Sequence, residues 1–169
     1  DDFMALISPA AAPYLEPLAQ RAQQLTRQRF GNVVSFYVPL YLSNLCANDC
    51  TYCGFSMSNR IKRKTLDAAE IARECEAIKA LGFDHLLLVT GEHQSKVGMD
   101  YFRQHIPAIR RHFSSLMMEV QPLAQDEYAE LKALGLDGVL VYQETYHPAT
   151  YLQHHLRGQK QDFHWRLAT

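Results

Sequence analysis

Three cysteines stand close enough together to do joint chemistry. Cys46, Cys50 and Cys53 form the run C-x3-C-x2-C within Ser43-Asn44-Leu45-Cys46-Ala47-Asn48-Asp49-Cys50-Thr51-Tyr52-Cys53-Gly54. Thiolates hold iron–sulfur clusters. Three of them can each take one iron of a cubane, and the remaining iron is then free to bind an exogenous ligand. A ferredoxin would carry a further Cys in the same run, and none follows Cys53 at such a spacing. Structural zinc wants four ligands, and the nearest His after Cys53 is His85. A cluster is therefore favoured over zinc. Thiols grouped in this way suit a reducing compartment, whereas a secreted scaffold spreads paired cysteines along its chain.

Other candidate groups follow apolar runs. Thr90-Gly91-Glu92-His93 follows HLLLVT. A Gly lets a ligand approach the backbone, and a carboxylate there can accept hydrogen bonds from an ammonium group. Glu119 lies in the otherwise apolar LMMEV, so its carboxylate either meets a partner or faces a ligand. In Tyr142-Gln143-Glu144-Thr145-Tyr146-His147, Glu144 can accept from ribose hydroxyls or simply enter the next helix. Arg157 and Arg166 suit a carboxylate, because a guanidinium fork matches it, or else are solvated. The basic Arg60-Ile61-Lys62-Arg63-Lys64 reads as an exposed loop. His154 and His155 are adjacent, so they do not share a helix face.

These groups need elements to position them. Val33–Leu42, His85–Thr90, Leu116–Val120 and Gly138–Gln143 are β-like, and their near-continuous apolar character suits a parallel sheet buried on both faces. Helical spacing lies between them: Ile71, Cys75 and Ile78; Phe102, Ile106, Ile109 and Phe113, with Pro107 able to kink or delay the helix; Tyr128, Leu131 and Leu134. Cys75 falls on such a stripe and reads as core. Ahead of the first strand, Leu15, Leu18, Ala22 and Leu25 form another stripe, with Gly31 as a stop. KALGFD (Lys79–Asp84) and KALGLD (Lys132–Asp137) repeat one helix–Gly–strand junction, which argues for repeated βα units. The tail after the fourth strand is polar and reads as starting one more helix. Such a parallel sheet is doubly wound or a barrel, and either gathers ligands at the carboxyl ends of its strands.

Composition limits the partners. The 169 residues hold 17 Lys and Arg against 18 Asp and Glu, a net charge of −1. That balance offers no basic surface for nucleic acid or an anionic membrane. An apolar content of 47% suits a globular protein, and no run of about 18 apolar residues reads as a membrane span.

With its aromatic Tyr52 before the last Cys, the cysteine run resembles the signature of the radical S-adenosylmethionine superfamily. The segments YLSNLCANDCTYCGFSMSNRIKRKTL, LLLVTGEHQSKVGMDYF, MEVQPL and VYQETYH resemble its aromatic amino acid lyase group, in particular the tyrosine lyases of thiamine biosynthesis. The resemblance runs from about Leu15 to Leu167. It implies that Cys46, Cys50 and Cys53 ligate a 4Fe–4S cluster whose open iron is chelated by S-adenosylmethionine. It implies that Gly91 and Glu92 contact the methionyl amino group, Glu144 the ribose, Arg166 the methionyl carboxylate, and the Tyr52 backbone the adenine. The implied reaction splits the Cα–Cβ bond of tyrosine to p-cresol and 2-iminoacetate. The implied partners are thiazole synthase and a flavodoxin or ferredoxin electron donor, in the cytoplasm.

The fold implied is α/β: the N-terminal half, about four βα units, of a TIM-type (β/α) barrel. Residues 1–31 form a helical segment and 32–169 the partial barrel. The chain begins Asp1-Asp2-Phe3 and is expected to be a piece of a longer enzyme. The alternatives are a hydrogenase-maturation tyrosine lyase, another radical enzyme acting on tyrosine, or a non-catalytic iron–sulfur electron-transfer module.

Overall fold

The computed structural model describes residues 2–169. Its elements run α1 (Asp2–Ile7), a 3-10 helix (Pro9–Tyr14), α2 (Leu15–Phe30), β1 (Val38–Ser43), β2 (Asp49–Cys50), α3 (Ala68–Ala80), β3 (His85–Thr90), α4 (Met99–Arg110), β4 (Ser115–Glu119), α5 (Gln125–Ala133), β5 (Gly138–Leu140), α6 (Pro148–His154), β6 (His155–Arg157), a second 3-10 turn (Gln159–Gln161) and α7 (Phe163–Ala168). The chain divides into two units, one ending at Ser35 and the other spanning Phe36–Thr169.

In the first unit, α2 carries Glu16 in its first turn and Arg27 and Arg29 in its last, the arrangement the helix dipole favours. Gly31 ends it with φ 64°, a conformation few other residues adopt cheaply. Among the described residues, none before Phe36 is buried.

In the second unit, β1, β3, β4 and β5 form one parallel sheet in the order β1-β3-β4-β5. The helices between them cover one face. Leu40, Leu42, Leu86, Leu88, Leu116 and Met118 from the strands pack with Ile71, Cys75, Ile78, Phe102, Ile106, Ile109 and Leu131 from α3, α4 and α5. Cys75 is thus a core residue at 1% exposure. Asp67 starts α3 through a capping box, accepting from Glu70 N while the Glu70 carboxylate accepts from Asp67 N. α4 runs through Pro107 to Arg110. Both KALG junctions fold alike: Leu81 and Leu134 cap the helices, and Gly82 (φ 87°) and Gly135 (φ 106°) turn the chain into the next strand.

Four expectations change. β1 starts at Val38, where it meets Leu86 of β3; Val33, Val34 and Phe36 are exposed instead. β5 ends at Leu140 because its partner β4 ends at Glu119, the residue opposite, and nothing pairs beyond. Only the central β3 is buried on both faces; β1 and β4 alternate buried and accessible residues. The sheet face turned away from the helices, with Pro39, Tyr41, Leu87, Val89, Glu119 and Leu140, lines a cavity. Past β5, the tail forms two helices and pairs β6 antiparallel with β2, beyond the single helix expected.

Candidate active site

The three clustered cysteines lie in the loop between β1 and α3, and that loop is tied down from several directions. Gly91, just past β3, donates to Ser43 O at 2.9 Å, and Ala47 N donates to Glu92 O at 2.8 Å. A Cβ at Gly91 would stand 2.4 Å from Leu45 O and 3.1 Å from the Cys46 Cβ, so only glycine lets loop and strand end meet. The Arg63 guanidinium donates to the carbonyls of Asn44 (2.7 Å), Phe55 (2.8 Å), Ser56 (2.6 Å) and Asn59 (3.2 Å). Arg63 therefore braces the cysteine loop, contrary to the reading of its basic stretch as merely solvated. Ser56 Oγ accepts from Cys50 N at 2.7 Å and also bonds Cys50 O.

A second brace comes from far along the chain. β6 lies antiparallel to β2, with Cys50 opposite His155 and Asp49 opposite Arg157. Lys160 N donates to Asn48 Oδ1 at 3.0 Å, and Asn48 Nδ2 donates to Glu92 Oε2 at 2.7 Å. Gly158, at φ 88°, passes so near the loop that a Cβ would stand 2.2 Å from Asn48 Oδ1. Asn48 is buried at 2% exposure.

All eight expected site residues line one cavity of about 660 Å³: Cys46, Cys50, Tyr52, Cys53, Gly91, Glu92, Glu144 and Arg166. Arg166 is itself buried, and donates to Glu92 Oε1 at 2.9 Å and to Tyr142 O at 2.8 and 3.2 Å. The residues expected to contact the methionyl ammonium and carboxylate are thus ion-paired with each other. Arg157, the other candidate, lies exposed in β6. Lys160, which no spacing rule singled out, donates to Glu144 Oε1 at 2.8 Å and stands 5.7 Å over the Tyr52 ring. Glu144 holds a left-handed backbone at φ 68°, a conformation that costs a non-glycine residue and often marks functional positions. Glu119 faces the cavity.

Charge in the cavity follows from burial and Lys160. Burial pushes the Cys50 thiol up to about 11, against the pull of Lys160 and Tyr52. Burial also raises the Tyr52 phenol and the Glu119 carboxyl. Burial acts the same way on Glu144, but the Lys160 hydrogen bond and charge outweigh it, and this carboxyl is held below its ordinary value.

Residues 40–169 match the family described as the Radical SAM superfamily. The chain belongs to the radical SAM superfamily. It is 80% identical, over all 169 residues, to 2-iminoacetate synthase of Salmonella typhimurium and equally to that of Escherichia coli, covering 45% of each. It is 31% identical over 154 residues to 3-methylornithine synthase of Methanosarcina acetivorans, covering 89% of this chain and 44% of that one. The chain thus spans under half the length of the curated relatives it matches. Among solved radical SAM structures, the FeFe-hydrogenase maturase HydG from Carboxydothermus hydrogenoformans superposes with a TM-score of 0.81 at 34% identity, over 88% of this chain and 35% of that one. Methylornithine synthase PylB shares the fold with a TM-score of 0.74 at 24% identity, over 93% of this chain and 46% of that one. The α/β sheet described above is therefore part of a TIM-type barrel.

The radical SAM family implies a 4Fe–4S cluster and S-adenosylmethionine, and the residues present fit both. All four cysteines are free thiols, and Cys46, Cys50 and Cys53 open onto the same space. Backbone N–H groups of Asn48 and Phe55 point at the Cys46 and Cys53 sulfurs at 3.5 and 3.4 Å, the donors a thiolate ligand needs. Thr90, on the same cavity wall, has a buried hydroxyl without a partner among the described residues, which a polar ligand can satisfy.

Proposed function

We propose that this chain is the cluster-and-cosubstrate part of a radical SAM lyase that cleaves tyrosine between Cα and Cβ, giving p-cresol and 2-iminoacetate for thiazole formation in thiamine biosynthesis. The observation that carries this reading is the 80% identity to two 2-iminoacetate synthases over all 169 residues. The convergence of the cysteines with Glu92, Glu144 and Arg166 on one cavity supports it.

In this reading Cys46, Cys50 and Cys53 hold the cluster. Glu92 receives the methionyl ammonium of S-adenosylmethionine, and Arg166 its carboxylate. The pair these two residues make with each other keeps both charges compensated until a zwitterion takes their place. Glu144, kept ionised by Lys160, accepts from the ribose hydroxyls, and the Tyr52 backbone meets the adenine. Gly91 and Asn48 hold the loop against the strand ends, so that these contacts are preorganised. When bound, the cluster and S-adenosylmethionine supply the one-electron chemistry that takes a hydrogen atom from the substrate. Tyrosine is the proposed substrate, a flavodoxin or ferredoxin the electron donor, and thiazole synthase the acceptor of the imine. Residues 32–169 are the proposed catalytic part, in the cytoplasm, where free thiols persist. Among the described residues no helix is long and apolar enough to cross a membrane.

The fold likeness to HydG favours a second reading, a hydrogenase-maturation tyrosine lyase, but its identity is 34%. The test is an anaerobic assay of the full-length parent protein with tyrosine, S-adenosylmethionine and a reductant. p-Cresol, 2-iminoacetate (trapped as glyoxylate) and 5′-deoxyadenosine are expected. 5′-Deoxyadenosine without p-cresol would keep the superfamily and reject tyrosine cleavage; a cluster with neither product would favour an electron carrier.

A further inference from the structure

Two adjacent histidines hold two adjacent residues of the cysteine loop. His154 Nδ1 stands 2.7 Å from Thr51 Oγ1, and His155 Nε2 stands 2.6 Å from the Tyr52 hydroxyl, each across 103 residues of chain. The β2–β6 pairing brings them together, and Thr51 N donates to His154 O at 3.0 Å. His155 is fully buried, stacked on Tyr151 with ring centroids 3.8 Å apart.

The partners decide where the protons are. His155 Nδ1 is 2.6 Å from the Tyr151 carbonyl, which can only accept, so Nδ1 carries the hydrogen. In the neutral ring Nε2 is then an acceptor facing the Tyr52 hydroxyl at 2.6 Å, with the Glu144 carboxylate a second acceptor near that hydroxyl. The Tyr151 hydroxyl donates to Lys160 O at 2.5 Å, and Lys160 N returns to the loop through Asn48 Oδ1 at 3.0 Å. Tyr52 is thereby held at its hydroxyl by His155 while its ring lies under the Lys160 ammonium at 5.7 Å. Its backbone joins Cys50, two residues before it, to Cys53, the next residue.

We propose that His155 is a positioning residue for the cofactor site: by accepting the Tyr52 hydroxyl it fixes the segment between Cys50 and Cys53, and with it the spacing of two cluster thiols. This rests on the reading that those thiols carry a cluster with S-adenosylmethionine. Neither the cysteine signature nor the family match assigns the histidine a role.

The test uses the full-length parent protein, reconstituted anaerobically, with the variants Y52F, H155F, the double variant and H155Q. Y52F removes one hydroxyl; H155F keeps a stacking ring but has no acceptor; H155Q restores an acceptor oxygen. Two readouts are taken: iron loss to a chelator, and the S-adenosylmethionine concentration giving half of the EPR change of the reduced cluster. Both single variants are expected to speed iron loss and raise that concentration about tenfold, the effect of one hydrogen bond. The double variant is expected to do no more than either, and H155Q to recover most of the loss. Unchanged iron loss in Y52F, or effects that add in the double variant, would overturn the proposal. The chelator readout needs no S-adenosylmethionine, so it judges the positioning role separately. A wild-type cluster whose EPR ignores S-adenosylmethionine would instead overturn the proposed function.

Discussion

Arg166 donates to Glu92 across 2.9 Å and 74 residues of chain, with 3% and 15% of the two side chains exposed. The pair joins the start of the loop after β3 to α7. Both partners have further bonds, Arg166 to Tyr142 O and Glu92 to Asn48, so neither charge is left bare. Breaking a buried pair by removing one partner costs about 3–5 kcal/mol, since the other charge stays uncompensated.

Arg166→Met is therefore expected to lower unfolding stability by about 3 kcal/mol, a figure at the low end for a partly accessible pair. Arg166→Lys should recover little, because one ammonium cannot reach both Glu92 and Tyr142 O as the guanidinium fork does. Denaturant unfolding of both variants checks this.

Gly91→Ala is expected to impair the cluster site more than the fold. The new methyl would meet Leu45 O and the Cys46 Cβ, and backbone cannot move aside as a flexible side chain can. The outcome to measure is iron bound per chain after reconstitution, with circular dichroism close to wild type. Full iron loading would show that the loop has slack.

Arg63→Met removes donors from four loop carbonyls. Hydrogen bonds from a charged group contribute about 1.5–3 kcal/mol each when buried. This side chain is partly accessible, so a total of about 2 kcal/mol is expected. Faster amide exchange over residues 53–59, with the sheet strands unchanged, is the local signature to look for.

Much of this site was legible as local pattern. The cysteine spacing, the Gly-Glu pair after HLLLVT and the KALG junctions each rest on residues close in sequence. Lys160, Asn48, His155 and Gly158 were missed because their partners in the site lie 16 to 112 residues away, and no local periodicity marks them. Arg63 was misread because five consecutive basic or apolar residues look solvated until the loop folds back over them. The first strand's start failed for a related reason: Val33–Tyr37 has strand-like residues, but β3 offers partners only from Val38 onward.

Acid should weaken one junction in a predictable direction. The Asp137 carboxylate accepts from Leu116 N at 2.8 Å and pairs with Arg110 at 2.7 Å. The backbone N–H bond is the larger cause, with Arg110 adding to it, and together they hold the carboxyl below its ordinary value of 3.8. A carboxyl lowered on folding adds stability that is fully present above its unfolded value and is lost as pH falls through its folded value. The stability gap between wild type and Asp137→Asn should thus be steady near neutral pH and shrink below about 4. A gap that holds constant down through that range would show that Asp137 is not the group acid titrates.

In the proposed site, three protein thiolates leave one iron of a cubane for S-adenosylmethionine. Mössbauer spectroscopy of the full-length parent protein, reconstituted with isotopically enriched iron, tests it most directly. One cubane per chain is expected, in which a single iron site changes its isomer shift when S-adenosylmethionine is added, and no cubane is expected in Cys50→Ala. A spectrum unchanged by S-adenosylmethionine, or a cubane that survives the loss of Cys50, would contradict it.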